Sequence, residues 1–195
     1  KKEFNKQMDY INDYFKVIDN NNLYTYRQIV ELATSYKKAW DYGGLLIDPY
    51  NSLIKDPEIM KSLGGHEYDY QATTEIRKFC KTYNVSTWLN KHPIGHEYAG
   101  HPIPPMASDV EGGGKFVNRA DDFMVIHRYI QHPADWTQSH IHVRKVKEIE
   151  TGGKPTSIDD PIRFKSIAGN VGFEINGTPI LEKPVREEFK KVINL

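Results

Sequence analysis

The sequence is poor in cysteine, has no excess of charge of either sign, and contains no long apolar run. Cys80 is the single cysteine among 195 residues, which excludes an internal disulfide and a multi-cysteine zinc site. This use of cysteine fits a reducing compartment, and we expect the protein in the cytoplasm. Lysine plus arginine and aspartate plus glutamate number 26 each, so any nucleic-acid binding requires a local basic patch. The apolar runs fall short of the roughly 18 residues that span a membrane, and the polar start KKEFNKQMDY lacks a signal-peptide pattern.

The first half of the chain predicts alternating strands and helices. Hydrophobic residues make up 38% of the sequence and aromatic residues 12%, which is typical of a globular protein. Apolar residues spaced by three and four predict helices over Thr25–Trp40 and Tyr68–Tyr83, the second following a loop that ends at Gly64 and Gly65. Short apolar runs predict strands at FKVID (Phe15–Asp19), LLID (Leu45–Asp48) and VSTWLNKHP (Val85–Pro93). This order predicts an α/β fold with a mostly parallel sheet and helical crossovers.

The second half of the chain has a different pattern. Residues Pro93–Gly114 are rich in Gly, Pro and His and show no periodicity, so we expect a long functional loop. Four strand-like segments with turn signals such as TGG and NG follow and predict antiparallel strands and a hairpin. The tail Val185–Leu195 is expected to form a short helix.

Two polar residues follow predicted strands of the parallel sheet. Asp48 ends the strand in YGGLLIDPYNSL, and His92 ends the next strand. Ligands bind beyond the carboxyl ends of such strands, where a carboxylate can hold Mg²⁺ and a histidine can contact phosphate. The alternative is that Asp48 starts a turn and His92 only caps a strand.

The segment EGGGKFVNRADDFMVIHR contains three glycines and two cations that suit an anion. Gly113 and Gly114 permit close backbone approach, while Lys115 and Arg119 add charge. It is not a P-loop, because the G-x-x-x-x-G-K-[ST] spacing is absent and no helix is expected after Lys115. The alternative is a flexible turn.

The run HIHVRKVK alternates as a strand does. Val143 and Ile141 are expected to face the core, and His142 and Arg144 to face outward. Lys145 and Lys147 lie two residues apart on one face, an arrangement that suits phosphate contact or a solvated surface.

The histidines raise the hypothesis of a metal-dependent hydrolase. HEYAGH is one residue longer than H-E-x-x-H, which places His96 and His101 off a common helical face. No third ligand stands at a persuasive spacing, so this hypothesis remains the weakest.

In their order, these segments resemble the RecA-like motor domain of hexameric replicative DNA helicases, particularly phage-type helicases and helicase–primases. LLIDPYNSL is similar to the family's Walker B strand, and EIRKFCKTYNVSTWLNKHP to the helix and strand before its phosphate-sensing His or Gln. GGGKFVNRADDFMVIHR and HVRKVKEIETGG resemble the stretch after the DNA-facing loop and the final strand. The resemblance covers about Phe15–Ile175.

The resemblance implies a role for each matching position. Asp48 would hold Mg²⁺ bound to ATP, with Asn51, His92 and Arg163 also at the nucleotide. The single-stranded DNA contacts would come from Gly113, Gly114, Lys115 and Arg119. Residues 1–165 would form the ATPase core from the Walker B strand onward, and residues 166–195 the terminal strands and helix of the same domain.

The sequence departs from the family in two ways. The family's final strand carries K-x-R, whose Arg enters the neighbouring subunit of the ring, whereas here Lys145 and Lys147 stand, with Arg144 and Arg163 as possible substitutes. The P-loop and the water-positioning acid are absent, so we expect the chain by itself not to hydrolyse ATP. The alternatives are a catalytically dead module for DNA or subunit contacts, and the metal hydrolase.

Overall fold

The structure is a computed structural model that describes residues 2–18, 22–95, 97–98, 101–167 and 172–180. The chain divides into two compact units, Lys1–Gly64 with Ile76–Asn90, and Gly65–Glu75 with Lys91–Leu195. The helices are α1 (Lys2–Tyr14), α2 (Tyr26–Ala39), α3 (Pro57–Tyr83), α4 (Gly114–Arg119) and α5 (Ile149–Gly152). The strands are β1 (Gly44–Ile47), β2 (Ser86–Leu89), β3 (Glu97–Tyr98), β4 (His101–Pro102), β5 (Asp122–Arg128), β6 (Gln138–Val146), β7 (Ile162–Ser166), β8 (Phe173–Ile175) and β9 (Thr178–Pro179).

The strands pair both in parallel and in antiparallel fashion. β1 and β2 form a parallel pair in register Gly44↔Ser86 to Ile47↔Leu89. β5 to β9 form a five-stranded antiparallel sheet in sequential order. The predicted α/β class is confirmed, and the arrangement is compatible with part of a RecA-like domain.

Helix α2 begins where the sequence supplies a capping box. The Gln28 amide donates to Thr25 Oγ1 at 3.3 Å, and the Thr25 amide donates to Gln28 Oε1 at 2.9 Å. These bonds satisfy amides that the first turn of a helix leaves without partners. Ile29 and Ala33 of the predicted apolar face are buried, together with Tyr26, whereas Tyr36 is exposed.

A small core in the first unit packs α2 against β1 and the second part of α3. Its buried members are Ala33, Tyr42, Phe79 and Val85. The Tyr42 hydroxyl donates to the Ala33 carbonyl at 2.7 Å, so its polar end is satisfied inside the core. This core fixes β1 and β2, whose carboxyl ends carry two polar side chains.

Two sequence predictions in the first unit were wrong. Phe15–Ile18 form no strand, because the Phe15 amide continues the hydrogen bonding of α1 by donating to the Ile11 carbonyl at 2.8 Å; Asp19 lies outside the described residues. Helix α3 begins at Pro57 rather than Tyr68, since Asp56 accepts from the amides of the first turn. Gly64, with φ +70°, breaks α3, so the predicted helix Tyr68–Tyr83 lies in the helical segment after the break, while the segment before it, predicted as a loop, is also helical.

The second unit is built around the antiparallel sheet. The β8–β9 turn contains Asn176 and Gly177, with φ of 52° and 77°, as the NG signal predicts. The described residues of the loop predicted over 93–114 are largely irregular but include the β3–β4 pair and a short 3-10 turn at Ala107–Asp109. The predicted helix at Val185–Leu195 lies outside the described residues. Among the described helices, none has the length and apolarity needed to cross a membrane.

Candidate functional site

Asp48 and Asn90 meet at the carboxyl edge of the parallel strand pair. Asp48 directly follows β1, and Asn90 directly follows β2. Because these strands run in parallel and in register, their next residues lie side by side, and Asn90 Nδ2 donates to Asp48 Oδ1 at 2.6 Å. Both side chains are exposed. The pair therefore presents an oriented carboxylate where open α/β sheets bind ligands.

The chemistry of Asp48 fits a magnesium ion. Mg²⁺ takes oxygen ligands and is usually held by one or two carboxylates, with waters and substrate phosphates completing its shell. The Asn90 amide engages Oδ1 and fixes the orientation of the carboxyl group. The exposed Asp48 carboxylate can thus offer an oxygen ligand to a hydrated Mg²⁺ ion.

The other residues predicted at the nucleotide lie in different places. Asn51 is exposed in the 3-10 turn Tyr50–Ser52, which directly follows Asp48 and Pro49 in the first unit. His92 is exposed and lies two residues beyond Asn90, in the second unit. Arg163 lies on β7, where it donates to Asp160 Oδ1 at 3.0 Å and to the Asp159 carbonyl at 3.3 Å.

The glycine run starts helix α4, so the prediction that no helix follows Lys115 was wrong. Gly113 occupies the position before the helix with φ +66°, which a glycine adopts without strain. Gly112 has φ +85°, and a Cβ there would come within 2.8 Å of both Asp69 Oδ2 and Phe116 Cε2. Gly112 is therefore required by the packing of the protein against itself.

Each of the two cations predicted to contact DNA already has a partner on α3. Lys115 Nζ lies 3.1 Å from Glu67 Oε1. The Arg119 guanidinium stacks 4.0 Å from the ring centroid of Tyr70. These contacts join α4 to the part of α3 that belongs to the same unit.

Lys145 and Lys147 bind the C-terminal part of α4 and the two residues that connect it to β5. Lys145 Nζ donates to the carbonyls of Val117 at 2.8 Å and Ala120 at 2.7 Å, with Asn118 farther at 3.4 Å. Lys147 Nζ lies 3.0 Å from Asp121 Oδ1, and both side chains of this pair are about half exposed. Lys145 lies on β6 and Lys147 follows the end of that strand, and the ammonium groups of both lie close to oxygen atoms of the protein.

The outward orientation predicted for His142 was wrong. His142 is only 3% exposed and His127 8%. His142 pairs with the buried Val125 of β5, and directly paired residues of antiparallel strands point to the same face, so His142 lies on the buried face of the strand pair. A bulge follows at Arg144, because Phe123 pairs with Lys145 while Met124 pairs with Val143. Val143 and Ile141, predicted to face the core, are only half-buried.

His127 of β5 lies beside His140 and His142 of β6, and the surroundings of all three favour the neutral imidazole. Burial, then Arg144 and then the neighbouring histidines and Arg163 lower the pKa of His142 to about 4. Burial first and the neighbouring charges second also lower the pKa of His127 and His140. Neither ring nitrogen of His142 has a hydrogen-bond partner among the described residues, nor has Nε2 of His127 or Nε of Arg144.

The hypothesis of a histidine-based metal hydrolase has few described residues to rest on. His96 lies outside the described part of the chain. Across the residues that are described, no group of three or more His, Cys, Asp or Glu side chains is arranged to hold a metal ion.

Sequence reasoning missed Asn90 and the role of the Lys145 ammonium. A signal for Asn90 was present, because it follows its strand as Asp48 follows the neighbouring one. Lys145 gave no such signal, since its carbonyl partners lie 25 to 28 residues away in the sequence.

No protein-family model matches the chain. A similarity does exist to the Twinkle homolog protein, chloroplastic/mitochondrial, of Arabidopsis thaliana, with 29% identity over 150 residues. The match covers 73% of this chain and 20% of the relative, so the chain spans about one fifth of the length of the curated relative it matches. The chain is thus similar to one part of a much longer protein.

Proposed function

We propose that the chain is part of the motor domain of a ring-forming replicative DNA helicase, in which ATP hydrolysis drives movement along single-stranded DNA. The observation that carries the proposal is the Asp48 carboxylate at the carboxyl edge of β1, oriented by Asn90 beside the parallel strand β2. The similarity to the Twinkle homolog protein supports it, because it involves most of this chain.

In this proposal Asp48 holds the Mg²⁺ of a bound ATP. When bound, that ion neutralises charge on the phosphates of the nucleotide. Asn90 fixes the carboxylate through its 2.6 Å hydrogen bond. Asn51, which lies in the same unit as Asp48, is the further candidate for contact with the nucleotide. His92 and Arg163, which belong to the second unit, stay predictions from the resemblance.

The proposed surface for single-stranded DNA is the start of α4. The Gly114 backbone and the cations Lys115 and Arg119 would contact phosphates. The Gly113 amide already donates to the Val110 carbonyl at 2.6 Å, so Gly113 would contribute through the positive φ that it gives the backbone before α4. To do so, Lys115 must leave Glu67 and bind a phosphate instead. The Lys115–Glu67 ion pair is exposed and contributes at most about 1 kcal/mol to stability. Such binding weakens with salt, with a logarithmic slope of about −0.7 for each phosphate contacted.

The cation that would reach the neighbouring subunit's nucleotide comes from Lys145 and Lys147. Lys147 is better suited of the two, because its ion pair with Asp121 is half exposed and easily released. Lys145 would have to leave three backbone carbonyls.

Two experiments test this function. The helicase proposal requires that the source gene encode a G-x-x-x-x-G-K-[ST] motif and a strand ending in Glu upstream of Lys1. In the full-length gene product, Asp48→Ala should abolish ATP hydrolysis while circular dichroism and the unfolding midpoint stay unchanged. An upstream sequence without such a motif, or unchanged turnover, would remove the helicase proposal.

A catalytically dead binding module on the same scaffold is the second candidate function. The Asp48–Asn90 pair and the cations of α4 are common to both candidates, which differ in whether the full-length gene product hydrolyses ATP. This alternative predicts salt-sensitive binding of single-stranded DNA by a full-length gene product that hydrolyses no ATP. The helicase proposal predicts both activities together.

A further inference from the structure

The Lys145 ammonium occupies the C-terminal end of α4. It donates to the Val117 carbonyl at 2.8 Å and to the Ala120 carbonyl at 2.7 Å, and it lies 3.4 Å from the Asn118 carbonyl. The last carbonyls of a helix have no partners within the helix, and they carry the negative end of its dipole. A lysine from a distant strand therefore supplies both the donors and the positive charge that this end needs.

The two ends of α4 are held by different devices. At the N-terminal end, the positive φ of Gly113 and the close packing of Gly112 set the backbone before the helix. At the C-terminal end, Lys145, which lies on β6, donates to the carbonyls of Val117 and Ala120. A helix of six residues is too short to be stable without such external support.

Hydrogen bonds from a charged donor are stronger than those between neutral groups. Lys145 makes them while half-buried, whereas Lys147 and Lys165 are paired with carboxylates in more exposed positions. Of these three lysines, Lys145 is thus the one whose removal should loosen the end of α4.

We propose that Lys145 is a positioning residue that holds α4 in place, so that Lys115 and Arg119 of α4 are presented to single-stranded DNA. This inference rests on the proposed function for its DNA part; the support of α4 stands on the geometry alone. Lys145 then acts through α4, while Lys147 remains the candidate for the neighbouring nucleotide site.

The first test measures α4 without any DNA. Lys145→Met keeps the apolar stem and removes the ammonium, and Lys165→Met is the matched control because Lys165 pairs with Glu174 elsewhere on the same sheet. We expect amide hydrogen exchange in residues 115–121 to become at least about tenfold faster in Lys145→Met, and to stay unchanged in Lys165→Met. Lys145→Arg, which can still donate to carbonyls, should restore most of the protection.

The second test measures binding of fluorescent oligo(dT) by anisotropy in a double-mutant cycle. If Lys145 acts through α4, Lys145→Met weakens binding severalfold, and Lys115→Met adds little when combined with it. Lys165→Met should bind as the wild type does.

The outcomes separate the two proposals. Unchanged exchange at residues 115–121 in Lys145→Met, or independent effects of Lys145→Met and Lys115→Met on DNA binding, would overturn the positioning role. Absence of DNA binding by the wild-type full-length gene product would overturn the DNA part of the proposed function, while the exchange data would still decide whether Lys145 supports α4.

Discussion

Acidification should weaken the antiparallel sheet of the second unit through His142. This imidazole is 3% exposed, and burial, Arg144, His140, His127 and Arg163 lower its pKa from 6.5 to about 4. Above pH 6.5 the imidazole is neutral in both the folded and the unfolded chain. As the pH falls below 6.5, His142 becomes protonated in the unfolded chain but stays neutral in the folded chain. The free energy of unfolding therefore decreases until the pH reaches about 4.

The magnitude follows from these two pKa values. Each unit of pKa difference corresponds to about 1.4 kcal/mol, so the complete loss is about 3 kcal/mol. Between pH 7 and pH 5, this group alone should reduce the free energy of unfolding by about 2 kcal/mol. The lowered pKa values of His127 and His140 act in the same direction.

Native-state hydrogen exchange of the β6 amides, corrected for intrinsic rates, measures this loss for the second unit by itself. His142→Leu removes the titrating group, and its pH dependence between pH 7 and 5 should be smaller by about 2 kcal/mol. His132→Gln is the matched control, because His132 is exposed at the surface of the same unit. Equal pH dependence in the wild type and His142→Leu would refute the reasoning.

Two further predictions concern stability at neutral pH. Gly112→Ala should lower the free energy of unfolding of the second unit by about 2–4 kcal/mol, since the new Cβ would lie 2.8 Å from its neighbours and φ is +85°. Gly95→Ala is the control, because a Cβ there has no atom within 4 Å, and it should cost less than about 0.5 kcal/mol. Equal denaturant midpoints for the two variants would contradict this prediction. Tyr42→Phe should cost about 1 kcal/mol in the first unit, because it leaves the Ala33 carbonyl without its hydroxyl donor. Urea unfolding curves check both, and a more stable Tyr42→Phe variant would show that the hydrogen bond contributes nothing.

The sequence predicted the elements whose signals are local. The spacing of Ile29 and Ala33 predicted α2, and the apolar runs before Asp48 and His92 predicted β1 and β2. Their parallel pairing brings Asp48 next to Asn90, as the rule for carboxyl ends of strands implies.

The failures have identifiable physical causes. The start of α3 was missed although Asp56 and Pro57 form a standard helix start, because the two glycines after it were interpreted as a loop. The burial of His142 follows from its pairing with the buried Val125, and the alternation within β6 alone does not show which face of the strand is covered. The partners of Lys145 come from tertiary structure, which no pattern of neighbouring residues encodes.

The central claim is that Asp48 belongs to the nucleotide site of a DNA-dependent motor. The most direct measurement is the steady-state rate of ATP hydrolysis by the full-length gene product with and without single-stranded DNA, for the wild type and for Asp48→Asn, which keeps the size of the side chain and removes its charge. We predict hydrolysis that single-stranded DNA stimulates in the wild type, and a loss of at least about 100-fold in Asp48→Asn. Equal rates in the two proteins, or no hydrolysis by the wild type, would contradict the claim.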